Sequence, residues 1–201
     1  MKSKLLKLTA AGAALSLLAG CIVLSVYPFY TPKDLIFDPG LTGRWVKVGH
    51  TNEFWEFAAT GGSFYLLTAT DDQSTNGIDA HLFQLKQYQF LDLLTTNRGE
   101  FQMPLHLITK VTRADTNLSL HFMDFGWLAA LLQTNPAVLR HIVVPEAGYT
   151  NDSLDSLDNG DNKMVYLTAD TKDLQKFLLK HADDTNAFTP DSLVELKRGS
   201  P

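Results

Sequence analysis

From Leu41 onward the apolar positions recur every second residue. Gly43-Arg44-Trp45-Val46-Lys47-Val48 sets Trp45 and Lys47 on one side of an extended chain, and Val46 and Val48 on the other. Glu53-Phe54-Trp55-Glu56-Phe57 follows. A turn cluster, Thr60-Gly61-Gly62-Ser63, separates it from the aromatic and β-branched run Phe64 to Thr70. Asp71 to Gly77 is a second turn cluster, and Ile78 to Lys86 and Tyr88 to Leu94 read as two more strands. Pro104 to Thr112 and Asn117 to Met123 read as a hairpin around Arg113-Ala114-Asp115-Thr116. About seven short, closely spaced strands predict an antiparallel meander.

The period lengthens after residue 123. Asp124 is placed to cap a helix to Gln133 that buries Trp127, Leu128, Leu131 and Leu132. Pro136 opens a second short helix through Val143, since proline suits the first helical position. Lys163 to Ala169 reads as the last strand. Thr168 or Asp170 then caps a helix with Leu174, Phe177 and Leu178 at helical spacing, ending near His181, whose position suits a helix C-terminus. The tail from Asn186 reads as irregular. The expected fold is therefore α+β: an antiparallel β-meander forming a partial barrel or sandwich, with two or three helices in the C-terminal half.

The first forty residues follow other rules. Met1 to Lys7 carries Lys2, Lys4 and Lys7. An uncharged apolar run then starts at Leu8 and reaches the small residues Ala19 and Gly20 before Cys21. Charge, a short apolar stretch and small residues form the pattern of a secretory signal. Leu18-Ala19-Gly20-Cys21 resembles the lipobox of bacterial lipoproteins at all four positions. That resemblance implies diacylglyceryl transfer to the Cys21 thiol, cleavage before it and acylation of the new terminus. Several acyl chains give stable anchoring where one gives marginal binding. The residue after the cysteine is Ile22 rather than aspartate, which favours the outer membrane if the host has one. A competing reading keeps the signal. Residues 8–27 contain no charge and are long enough for a bilayer-spanning helix. In both readings the lysines precede the run, so the domain faces out of the cytoplasm.

Residues 27–40 hold Pro28, Pro32 and Pro39, and read as an extended tether with a reach from Cys21 of roughly 60 Å at most. Tyr27, Phe29, Tyr30, Ile36 and Phe37 make it too aromatic for a free linker and place it along the domain surface or near lipid headgroups. The expected organisation is a signal peptide at 1–20, a lipidated cysteine and tether at 21–40, and one soluble domain at 41–201. Hydrophobic residues make up 45% of the 201, enough for a core without staples. Removing residues 1–20 takes the net charge from −5 to −8, because three lysines leave with them. Such acidity disfavours nucleic-acid binding. Cys21 is the single cysteine, so neither an internal disulfide nor a thiolate metal cluster is available.

Candidate chemistry is sparse. Gly43-x-Trp45 at the start of a meander resembles the lipocalin opening motif, in which the tryptophan closes the barrel floor. The resemblance implies a β-barrel that encloses a small hydrophobic ligand. Asp79 and His81 share a strand face. His106 and His121 share one if the hairpin loop has an even residue count, yet no third metal ligand is identifiable. Asp152, Asp155, Asp158 and Asp161 crowd one loop, but alignment of Gly160 with the EF-hand glycine puts Leu157 and Tyr166 where oxygen ligands belong. No nucleophile elbow and no glycine-rich phosphate loop occurs. No catalytic residue, metal or cofactor is therefore expected. The segment Leu167-Thr168-Ala169 to Leu174-Gln175-Lys176-Phe177-Leu178-Leu179-Lys180-His181, with the aromatic-proline stretch and the Gly-x-Trp start, is similar to that of uncharacterised bacterial envelope lipoproteins. The expected function is a membrane-anchored, non-catalytic accessory or scaffold that docks an envelope partner through an exposed apolar patch. The alternative is a barrel for a small apolar ligand.

Overall fold

The computed structural model describes residues 23–71, 75–95, 104–145 and 163–199. The strands expected from the period-two pattern form: β2 (Gly43–Lys47), β3 (Phe54–Ala59), β4 (Tyr65–Thr70), β5 (Thr75–Leu85), β6 (Tyr88–Thr95), β7 (Leu105–Ala114) and β8 (Asn117–Phe122). They pair in chain order, every pair antiparallel. The ring is completed by β11 (Leu193–Arg198), which lies between β8 and β2. The result is a closed eight-stranded antiparallel barrel. This corrects the expectation of a partial barrel or sandwich. It also corrects the tail from Asn186, where Val194 and Leu196 alternate with the charged Glu195 and Lys197 and supply the missing wall.

A barrel of eight strands is just wide enough for side chains to fill. Trp45, Tyr65, Leu67, Ala80, Leu91, Leu118 and Leu120 point into the lumen and are all 0% exposed, so no water-sized space lies against them. A short 3-10 turn (Pro39–Leu41) plugs the end where β2 begins, and Leu41 accepts a hydrogen bond from Trp45 Nε1 at 2.8 Å. The Arg198 guanidinium lies 4.1 Å from the centre of the Trp45 ring and donates to the Gly40 and Thr42 carbonyls. Gly43, at φ 102°, needs the glycine freedom that lets β2 leave this plug. Trp45 is thus held against this plug from inside the barrel.

Residues 23–41 are part of this body rather than a free tether. β1 (Leu24–Ser25) pairs with the first half of β7, at a stretch where β8 has already departed. The chain then crosses the outside of β6 and lies against the second half of β5, where Leu35 bridges Phe83 and the Ile36 amide donates to the Leu82 carbonyl. Phe29 is fully buried on the way. Apart from the 3-10 turn at Pro39 no helix forms in residues 27–40, and the aromatic side chain of Phe29, buried between the prolines, anchors the strap.

α1 (Phe125–Thr134) is capped by the Asp124 carboxylate, which accepts from the Trp127 amide at 2.7 Å. α2 (Thr171–His181) is capped in the same way by Asp170 through Asp173. Both match the sequence reading. Pro136 opens only one 3-10 turn to Val138, and the expected helix to Val143 is instead β9 (His141–Pro145). It pairs with β10 (Lys163–Leu167), which runs parallel to β1. β10 is therefore not the last strand. The three strands β1, β10 and β9 make a side sheet that branches from β7. The helices cover the outside of the barrel and this sheet, burying Phe83, Phe90, Leu128, Leu167, Leu174 and Phe177 in a second core.

Candidate functional site

Three places on the described residues carry chemistry beyond packing. The first lies under the strap. Asp92, on the outer side of β6, is fully buried, and its Oδ1 sits 2.7 Å from His106 Nδ1. Its Oδ2 accepts from the Phe29 amide at 3.0 Å, which pins the strap. His81 lies beside this pair, stacked on Tyr30 at 5.0 Å, with Nδ1 buried and unpartnered. Burial holds the His81 pKa below its ordinary value, against the pull of Asp92 and Asp79. The Tyr30 hydroxyl is pushed up to about 12, by burial first and then by the same two carboxylates.

Ser25 faces His106 across the β1–β7 pair, so a serine, a histidine and an aspartate stand in sequence on one side of the sheet. The serine hydroxyl is not on the histidine in this geometry. Ser25 is 0% exposed, and its hydroxyl donates to the Tyr27 carbonyl at 2.8 Å. A substrate has no route to it, and a catalytic serine needs its hydroxyl on the base. The network is a buried clasp between strap and barrel.

The second place is the outer edge of β9. Among the described residues β9 pairs only with β10, so alternate backbone groups point away from the sheet. Its consecutive residues Ile142, Val143 and Val144 are all exposed, the first two at 51%. Natural sheets protect such edges with charge, bulges or short length. Here no charged side chain interrupts His141-Ile142-Val143-Val144.

The third place adjoins the start of β9. Residues 137–140 and one side of α2 enclose a cavity of about 320 Å³. Val138, Leu139 and Phe177 form apolar walls, and Arg140, Lys176 and Lys180 bring three cations against the single lining carboxylate Asp173. Lys176 is 2.8 Å from Asp173, and that hydrogen bond holds the Asp173 carboxyl below its usual range. Arg140 reaches Asp170 at 3.4 Å on the rim. Lys180 has no ion pair among the described residues.

The residues singled out by sequence fare unequally. Cys21 lies outside the described residues, as do Asp152, Asp155, Asp158, Gly160 and Asp161. Asp79 and His81 do share the outer face of β5. The β7–β8 loop is the two-residue Asp115-Thr116, so His106 and His121 share a face, but His121 pairs with Lys110, four residues along. No cluster of three metal-ligating side chains occurs among the described residues. The sequence reading missed β9, the Arg140–Lys176–Lys180 cavity and the Ser25–His106–Asp92 alignment. The β-branched run Ile142-Val143-Val144 was the available signal for β9.

No family model, no curated protein and no solved structure matches this chain.

Proposed function

We propose that this chain is a lipid-anchored, extracytoplasmic lipoprotein that acts without catalysis, docking an extended segment of an envelope partner on the free edge of β9. The docking half is carried by one observation: a body that closes its main sheet into a ring leaves one uncharged, apolar strand edge open among the described residues. Edge addition supplies main-chain hydrogen bonds for affinity, while alternate side chains set specificity. The anchoring half rests on Leu18-Ala19-Gly20-Cys21. Val23 is buried and Leu24 is already in the sheet, which favours a processed signal over one continuous helical span of 8–27. Residues 8–22 alone fall short of the roughly 20 residues that a span takes. Cys21 stands two residues before Val23, within about 7 Å of chain, which seats the body close to the membrane.

The closed barrel supports the second reading, a small apolar ligand in the lumen. Such a ligand requires the lumen side chains to move aside, since Trp45, Tyr65 and Leu67 leave no water-sized gap. Intact mass and detergent partitioning of the full chain beside Cys21→Ala test the anchor. The proposal expects the wild type to lose residues 1–20, gain acyl mass and enter the detergent phase, and the variant to do none of these. Full-length mass and membrane retention for both overturn it in favour of an uncleaved anchor.

A further inference from the structure

The cationic cavity is lined by residues 137–140, which lead directly into the open edge of β9, and together they define what kind of segment fits. We propose that the docked segment is a free carboxyl terminus, laid antiparallel to β9, with its carboxylate among Arg140, Lys176 and Lys180 and its last side chain against Val138, Leu139 and Phe177. The inference rests on the docking reading above and names the partner's chemistry.

The direction follows from charge. β9 runs away from the cavity, from His141 to Pro145. A strand added antiparallel ends at the cavity, whereas a strand added parallel begins there. An α-amine arriving at the cavity meets three cations against one carboxylate; an α-carboxylate meets a lining of net positive charge. Asp173 offsets Lys176, and Asp170 reaches Arg140 only at 3.4 Å between exposed groups, so Lys180 is the cation most available to a ligand. The face also agrees. Val165 and Leu167 of β10 belong to the core under α2, and their partners Val143 and His141 share that face with Leu139. An added residue pointing to that face reaches the cavity walls. Leu139 and Phe177 are nearly buried and already held by the core, so they form a preset floor for one apolar side chain.

The test uses the detergent-solubilised full chain against a displayed library of random decapeptides with free carboxyl ends, followed by anisotropy on the selected peptides. The proposal expects an apolar last residue in the selected peptides, a loss of at least about tenfold in affinity on C-terminal amidation, and a similar loss with Lys180→Glu. N-methylation of alternate peptide amides removes binding without altering the protein, which reports the strand pairing itself. The melting temperature of Lys180→Glu checks that the fold is kept. Equal binding of acid and amide forms, selection with no end preference, or no selected peptide overturns the proposal. Cys21 processing is read separately, so the anchor assignment stands or falls on its own result.

Discussion

In the barrel every strand from β2 to β8 has two neighbours, and β11 supplies the last pair; in the side sheet β9 has one among the described residues. The two sheets share β7, whose first half pairs with β1 and whose second half pairs with β8. The same physics therefore gives opposite results along the two halves of one strand. Ring closure gives each barrel strand a neighbour on both sides over part of its length and fills the lumen with apolar side chains. The side sheet leaves an edge uncovered among the described residues. The ring is closed on itself, and the strand it does not include carries the exposed apolar edge on which docking is proposed.

The largest effect that sharpens this contrast is expected in the lumen. Trp45→Ala removes a side chain with no exposure, its hydrogen bond to Leu41 and the platform for Arg198. A loss of about 4 kcal/mol in a urea melt is expected. A loss under about 1 kcal/mol would mean that the lumen tolerates voids and would favour the ligand-barrel reading. Next comes the clasp. Asp92→Ala leaves the buried His106 ring and the Phe29 amide without their acceptor, at about 3 kcal/mol. Hydrogen exchange should then show the strap, residues 28–36, opening before the barrel strands.

Asp124→Ala removes only a helix cap and is expected to cost about 1 kcal/mol. Val143→Thr, on the open edge, should change stability by less than about 0.5 kcal/mol while weakening the docked segment. A large stability loss there would make β9 part of the rigid body and break the contrast.

The smallest effect concerns pH. Burial holds His81, His121 and His181 below the ordinary histidine value. The folded state thus prefers their neutral forms. The stability they contribute is full above the unfolded value near 6.5 and is lost as pH falls through it towards the lower folded values. Urea midpoints between about pH 7 and 5 should fall for the wild type. They should fall less for His81→Phe, which keeps an aromatic ring on Tyr30 and deletes the unpartnered Nδ1.

The barrel was largely legible because strands β2 to β8 bury one face, and a half-buried strand announces itself by alternation. Its closure was not, since β11 is a charged six-residue strand whose partner β2 lies at the other end of the domain. Both helix caps were legible because capping is local; Asp124 and Asp170 act within three residues. Pro136 misled for the opposite reason. Proline permits a helix start without requiring one, and the β-branched residues after it decide for strand. The strap was half legible. Its prolines fix an extended chain, but only the register of β5, β6 and β7 shows that Phe29 has a pocket and Asp92 a partner. The Arg140–Lys176–Lys180 cavity joins residues forty positions apart across the β9–β10 hairpin, and nothing periodic links them.

The most direct test of the division between closed ring and open edge is photo-crosslinking in intact cells of the native host. A photoreactive residue is placed at Val143 on β9 or at Leu66, an exposed position on the barrel wall. A discrete crosslinked product at 143 that is absent at 66, and that disappears when Lys180→Glu is added, is the predicted result. A product at 66 with none at 143 would place the partner on the barrel wall and contradict the account.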